Sequence, residues 1–105
     1  MAHIAIFSWY PLSKQVEVSA VWNKGRENPT MLLTKGVGPY HRITPDGIET
    51  FSVFEVENAK LNDALNELGA RMFKYIGIEG YRYEIRLVSA AEDMQPVADI
   101  YNKLK

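Results

Sequence analysis

The sequence predicts an α+β domain, on three observations. Two apolar segments, Tyr40–Ile43 and Ile48–Val56, flank Thr44-Pro45-Asp46-Gly47, which has the composition of a tight turn. The stretch from Leu61 to Ile76 repeats its apolar residues at helical spacing. Short apolar or alternating runs stand near both ends, at His3–Trp9 and Tyr81–Val88. At 105 residues, 1–105 reads as a single domain.

His3 to Trp9 is apolar, rich in isoleucine and aromatics, and stops at Tyr10-Pro11. Length and composition predict a strand, with apolar side chains on both faces and hence burial on both. From Pro11 onward two periods compete. Leu12, Val16 and Ala20 follow a helix, and Pro11 suits a first helical turn. Val16, Val18, Ala20 and Trp22 also alternate as a strand would. The helical reading is taken for the segment up to about Glu27, with the alternative open. Met31–Val37 reads as a short helical turn, broken at Gly36-Val37-Gly38-Pro39.

Tyr40–Ile43 and Ile48–Val56 then form a hairpin across the Pro-Asp-Gly turn. In the second strand Phe51 and Val53 share one face; Thr50, Ser52, Phe54 and Val56 share the other, which is mixed in polarity. Leu61, Leu65, Leu68, Met72, Tyr75 and Ile76 make the apolar stripe of a helix. Asn58 is placed as its N-cap and Gly77 beyond its end. In Tyr81–Val88, Tyr81, Tyr83, Ile85 and Leu87 alternate with Arg82, Glu84, Arg86 and Val88, which predicts a strand. Ser89 to Glu92 has capping-box spacing, and Met94, Val97, Ala98, Tyr101 and Leu104 form a final stripe. Because Pro96 is tolerated only near a helix start, the expectation is one turn at Ser89–Asp93 and a helix from about Pro96.

Composition narrows the function. The hydrophobic fraction of 47% is that of a folded protein, and the net charge of −1 leaves no excess of cations for phosphate binding, so nucleic acid is not an expected partner. Zero cysteines exclude disulfides, thiolate catalysis and cysteine zinc sites. The N-terminus lacks a basic leader region and no run approaches the roughly 20 apolar residues of a membrane span, so a cytoplasmic location without membrane contact is expected.

Strand, helix, strand, strand, helix, strand is the ferredoxin-like βαββαβ order, an antiparallel sheet with helices on one face, here with an added C-terminal helix. With the hairpin, the Ile48-Glu49-Thr50-Phe51-Ser52-Val53-Phe54-Glu55-Val56 strand and the Gly80-Tyr81-Arg82-Tyr83-Glu84-Ile85 strand, the chain resembles the dimeric α+β barrel superfamily. The resemblance lies in pattern across nearly the whole chain and includes no signature residue. It implies a homodimer in which two sheets pack face to face. Members include cofactor-free monooxygenases, isomerase-like proteins and chlorite dismutase relatives, so activity does not follow from it.

Candidate site residues come from chemistry alone. His3 and His41 are far apart and form no metal-ligand spacing, so no metal or cofactor is expected. His41 is the one weak catalytic candidate, as an acid/base near neutrality, or else a hydrogen-bonded hairpin residue. Arg82 and Arg86 share one strand face. They read either as anchors for a carboxylate or as ion-pair partners of Glu84. Trp9 and Tyr10, with Phe7, Trp22 and Phe54, read as pocket walls or as core and interface. Gly36-Val37-Gly38 has no following lysine and runs into Pro39, so it is no phosphate loop. Asp63 and Glu67 form a solvated face beside Arg71.

The function expected first is a homodimeric small-molecule-binding protein. It would have a partly apolar cavity, between sheet and helices or between two sheets, for an apolar carboxylic acid such as a fatty acid. Whether it is an enzyme stays open: the alternative is a cofactor-free monooxygenase or isomerase of the same barrel group. An RNA- or protein-interaction module ranks last, because Gly47–Phe54 matches the RNA-recognition pattern poorly, with Ile48 in an aromatic position and Glu49 beside it.

Overall fold

The computed structural model describes residues 1–30 and 32–105; Met31 and the side chain of Asp93 lie outside the described residues. Four strands and three helices follow in the order β1 (Ala2–Tyr10), α1 (Gln15–Gly25), β2 (Leu33–Thr44), β3 (Gly47–Val56), α2 (Leu61–Phe73), β4 (Arg82–Val88) and α3 (Met94–Leu104). A short 3-10 turn leads into each helix. The strands form one open antiparallel sheet in the order β2-β3-β1-β4, an arrangement compatible with a ferredoxin-like fold.

Between Val16 and Trp22 the helix prevails over the strand. Val18 is the buried residue of α1 and Val16 is exposed, so an alternating strand reading would have buried the wrong set. The expectation for Met31–Val37 fails from Leu33 onward. β2 begins at Leu33 and runs through the Gly36–Pro39 stretch, with its register shifting between Val37 and Tyr40. The irregularity absorbs Gly38 and Pro39, and the strand continues beyond it. Neither expected cap forms. Asn58 opens the 3-10 turn before α2 without a side-chain cap bond at that helix, and Ala90 rather than Ser89 precedes the last turn. Gly77 lies beyond a helix that stops at Phe73, in a run of tight turns. Pro96 falls in the first turn of α3, where its missing N–H costs nothing.

Register assigns the sheet faces. Ile4, Ile6, Ser8 and Tyr10 of β1 stand beside Phe54, Ser52, Thr50 and Ile48 of β3 and beside Leu87, Ile85 and Tyr83 of β4. These side chains face the helices. One core cluster joins Tyr10 and Ile48 to Val18, Met72, Tyr75 and Ile78; the other joins Ile4 and Val56 to Ala64 and Leu68. The opposite face carries His3, Ala5, Phe7 and Trp9 of β1 with Glu49, Phe51, Val53 and Glu55 of β3. Among the described residues no helix covers it: Ala5 is buried between its neighbours, but His3, Phe7 and Trp9 are only half-buried, so β1 is not fully buried on both faces.

α3 departs from this packing. Its Met94, Val97, Ile100, Tyr101 and Leu104 are all exposed, Leu104 at 80%. The Cα radius of gyration is 16.1 Å, against about 13 Å for a compact chain of this length.

Candidate functional site

A cleft of about 920 Å³ lies between the helices and the sheet. Its floor is the helix-facing side of β1, β2 and β3; α1 and the start of the α1–β2 loop form its outer wall, and Leu68 and Met72 of α2 its inner one. It exists because β2 is a long edge strand that reaches past the helices, which pack on β1, β3 and β4. Between Ile48 and Phe54 the floor extends six residue steps at roughly 3.3 Å each, or about 20 Å. Ile6, Val18, Ile48 and Phe54 are among its apolar walls.

Charge on the lining has one sign. Arg26, Lys35, Arg71 and Lys74 border the cleft, and no carboxylate does among the described residues. Arg26 lies over the Trp22 ring at 4.7 Å. Arg71 is held by Glu67 at 3.0 Å and by the carbonyls of Gly25 and Asn28, tying α2 to the end of α1. Thr30 donates to the other oxygen of Glu67 at 2.6 Å, and that bond, with Arg71, holds the Glu67 carboxyl below the usual carboxylate range.

Three tyrosines close the other end. Tyr81 stacks on Tyr75 at 4.6 Å and on Tyr10 at 5.8 Å between ring centroids. Tyr10 donates to Gln15 at 2.7 Å, and Gln15 donates to Ser19 at 2.8 Å. Burial pushes all three phenols up, Tyr75 to about 12, and a hydrogen bond with Ser8 offsets part of the effect at Tyr81. The raised Tyr75 value has a sign for stability. The folded state holds this proton more tightly than the unfolded chain, so the contribution is complete below pH 10 and is lost as pH rises toward 12. An alkaline titration followed by phenolate absorbance and circular dichroism is therefore expected to show one tyrosine class titrating only as the fold is lost. Titration of every tyrosine near pH 10 with the fold intact would contradict this packing.

The five candidate residues separate onto two faces. His41 and Tyr10 line the cleft. Trp9, Arg82 and Arg86 lie on the uncovered face, where β1 pairs Trp9 with Arg82 and Ala5 with Arg86. There Arg86 binds Glu84 at 2.7 Å and lies 4.7 Å above the Phe7 ring, and Arg82 sits 5.8 Å from the Trp9 ring. The Arg86 bond also holds Glu84 below the usual carboxylate range. On the same face Glu49 accepts from Arg42 at 2.5 Å and from the Trp9 indole at 3.1 Å, which lowers its carboxyl in the same way. Trp9, Tyr10 and Arg82 do meet, around a hollow of about 110 Å³ at the end of β1, space for a few waters at most. Among the described residues no three His, Asp or Glu side chains are placed to hold a metal ion, and no helix is long and apolar enough to cross a membrane.

No family model, curated protein or solved structure matches this chain.

Several cleft residues escaped sequence reasoning: Ser8, Thr50, Tyr75, Tyr81 and the four cations. The signal was present for two of them. Ser8 interrupts an apolar strand, and Thr50 lies on the mixed face of β3 that the structure turns toward the helices. The cations had none, because Arg26, Lys35 and the Arg71–Lys74 pair come from three separate segments.

Proposed function

We propose that this chain is a homodimeric small-molecule-binding protein that holds an apolar carboxylic acid, such as a fatty acid, in the cleft between sheet and helices. One observation carries the reading: an apolar cleft of about 920 Å³ whose charged lining residues are all cations. Its volume is that of small-molecule sites in general. An apolar tail would lie against Ile6, Val18 and Phe54, and the carboxylate would meet Arg26 at the rim. Arg82 and Arg86 are not assigned to the ligand, since they lie on the other face with Glu84 and two aromatic rings.

The dimer rests on two uncovered apolar surfaces. On the open sheet face Phe7, Phe51, Tyr40 and Trp9 make a row of neighbouring rings 5.3 to 6.4 Å apart. Aromatic and arginine side chains together are the composition of binding hot spots. α3 has 11 residues and an exposed apolar stripe, and a helix of that length is marginal in water without packing. Two copies packed sheet to sheet, as in the dimeric α+β barrel group, would cover the aromatic row.

Native mass spectrometry of gently purified protein, with melting curves in stearic acid, tests both parts. The expected result is a dimer carrying a fatty-acid mass and a melting temperature that rises with acid concentration. Protein that melts at the same temperature in every acid, and flies without an adduct, would remove the ligand reading. A bare monomer would remove the dimer, and salt-sensitive capture of single-stranded RNA would reassign the aromatic face.

A further inference from the structure

Resting on that reading of the cleft, we infer that its preferred ligand is an oxygenated acid: an apolar chain with a hydroxyl or keto group part-way along, read by Ser8 and Thr50 on the floor.

The floor is layered by register. At one end Tyr10, Ile48 and Ile43 are neighbours across the strands; at the other, Ile4, Phe54 and Gly36 are. Between them runs a polar row, Ser8 beside Thr50 beside His41. Ser52 follows on the same face of β3. A sheet face packed under helices is ordinarily apolar throughout, and a buried polar residue there needs a reason. Ser8 is 4% exposed, the buried polar residue of the described chain, and it lines the cleft.

Hydrogen-bond capacity sharpens the point. Ser8 Oγ and Thr50 Oγ1 bond to one another. Two hydroxyls have two hydrogens and four lone pairs between them, and their mutual bond uses one hydrogen and one lone pair. Thr50 is only half-buried, so its remaining capacity faces the cleft, with His41 next to it on β2. A plain alkyl chain laid along this floor would cover these groups and leave them without the water they otherwise bind, a cost of desolvation with no return. A hydroxyl or carbonyl at the same height would replace that water. The row lies four residue steps from Phe54, about 13 Å, so the oxygen sits part-way along the floor of the cleft.

The test compares stearic acid with a hydroxystearic acid whose hydroxyl is mid-chain, by calorimetric titration of the full-length protein. Wild type is expected to bind the hydroxylated acid about tenfold more tightly, the worth of one or two hydrogen bonds at a site built for them. Thr50→Val is expected to lose that preference, and Thr50→Ser, which retains the hydroxyl, to keep it. Equal binding of the two acids by wild type would overturn the inference and leave the cleft as a plain acid site. Equal loss of both acids in Thr50→Val would also overturn it, since Thr50 would then shape the wall only. Binding of neither acid would remove the cleft reading itself, and this inference with it. Should Thr50→Val fail to fold, wild type and Thr50→Ser still decide.

Discussion

Gly47→Ala is expected to destabilise the fold by on the order of 3 kcal/mol. Gly47 has φ of 135°, a region that side chains with a Cβ rarely enter. A Cβ there would run into the carbonyl oxygen of Tyr10 and lie 3.2 Å from its carbonyl carbon and 3.3 Å from Pro11 Cα. All three are backbone atoms, so no side chain can swing aside. The strain falls where it does most harm, because Gly47 closes the hairpin opposite Thr44 and precedes Ile48, the partner of Tyr10. Both the sheet order and the tyrosine end of the cleft depend on that junction. Gly77→Ala is the control: a Cβ at Gly77 meets nothing within 4 Å, and the loss should be slight. Urea unfolding of both variants measures the difference. A Gly47→Ala protein within about 1 kcal/mol of wild type would mean that the hairpin and β1 are not this close.

Phe51→Asp is expected to raise the dimer dissociation constant by roughly thirtyfold or more, the effect of losing an interface hot spot. Phe51 is 44% exposed and sits between Phe7 at 6.3 Å and Tyr40 at 5.3 Å, at the middle of the uncovered row. Within one chain an aspartate at this place reaches water, so the monomer should stay folded. Between two sheets it would be a buried charge beside aromatic rings. Val16→Asp is the matched control: Val16 is 81% exposed on the outer side of α1, away from this face. Sedimentation equilibrium across a concentration series reads both. A wild-type monomer, or a Phe51→Asp dimer as tight as wild type, would exclude the open face as the contact.

Much of the fold was legible because it depends on local spacing. The hairpin follows from Pro45 and Gly47, α2 from its repeat of leucines, and β4 from strict alternation. The face assignments within β3 and β4 were also legible, since the strand period is two. Reading failed where local chemistry was outweighed by distant pairing. Gly36 to Pro39 looks like a break, yet β3 offers partners on both sides of Gly38-Pro39 and β2 shifts register there to keep pairing. Asn58 and Ser89 look like caps, yet 3-10 turns open both helices without them. In α2, Ile76 belongs to the apolar period but lies past Phe73, where the chain has left the helix, and it is exposed.

The candidate site was less legible than the fold. Arginines and aromatics that alternate along one strand could be grouped by sequence, but which face the helices would cover depends on how all the strands pair. That pairing placed Trp9, Arg82 and Arg86 outside and Tyr10 and His41 inside. By itself the sequence determined the elements whose signal is periodic or stereochemical: the α+β class, the turn at Gly47, and the alternation of faces. Only the tertiary structure decided which face is covered, how far β2 extends, and that four cations, three tyrosines and a hydroxyl row meet around one cleft. The physical reason is range. Backbone geometry and side-chain period act over a few residues, whereas burial and the sign of charge around a cleft are sums over segments that folding alone brings together.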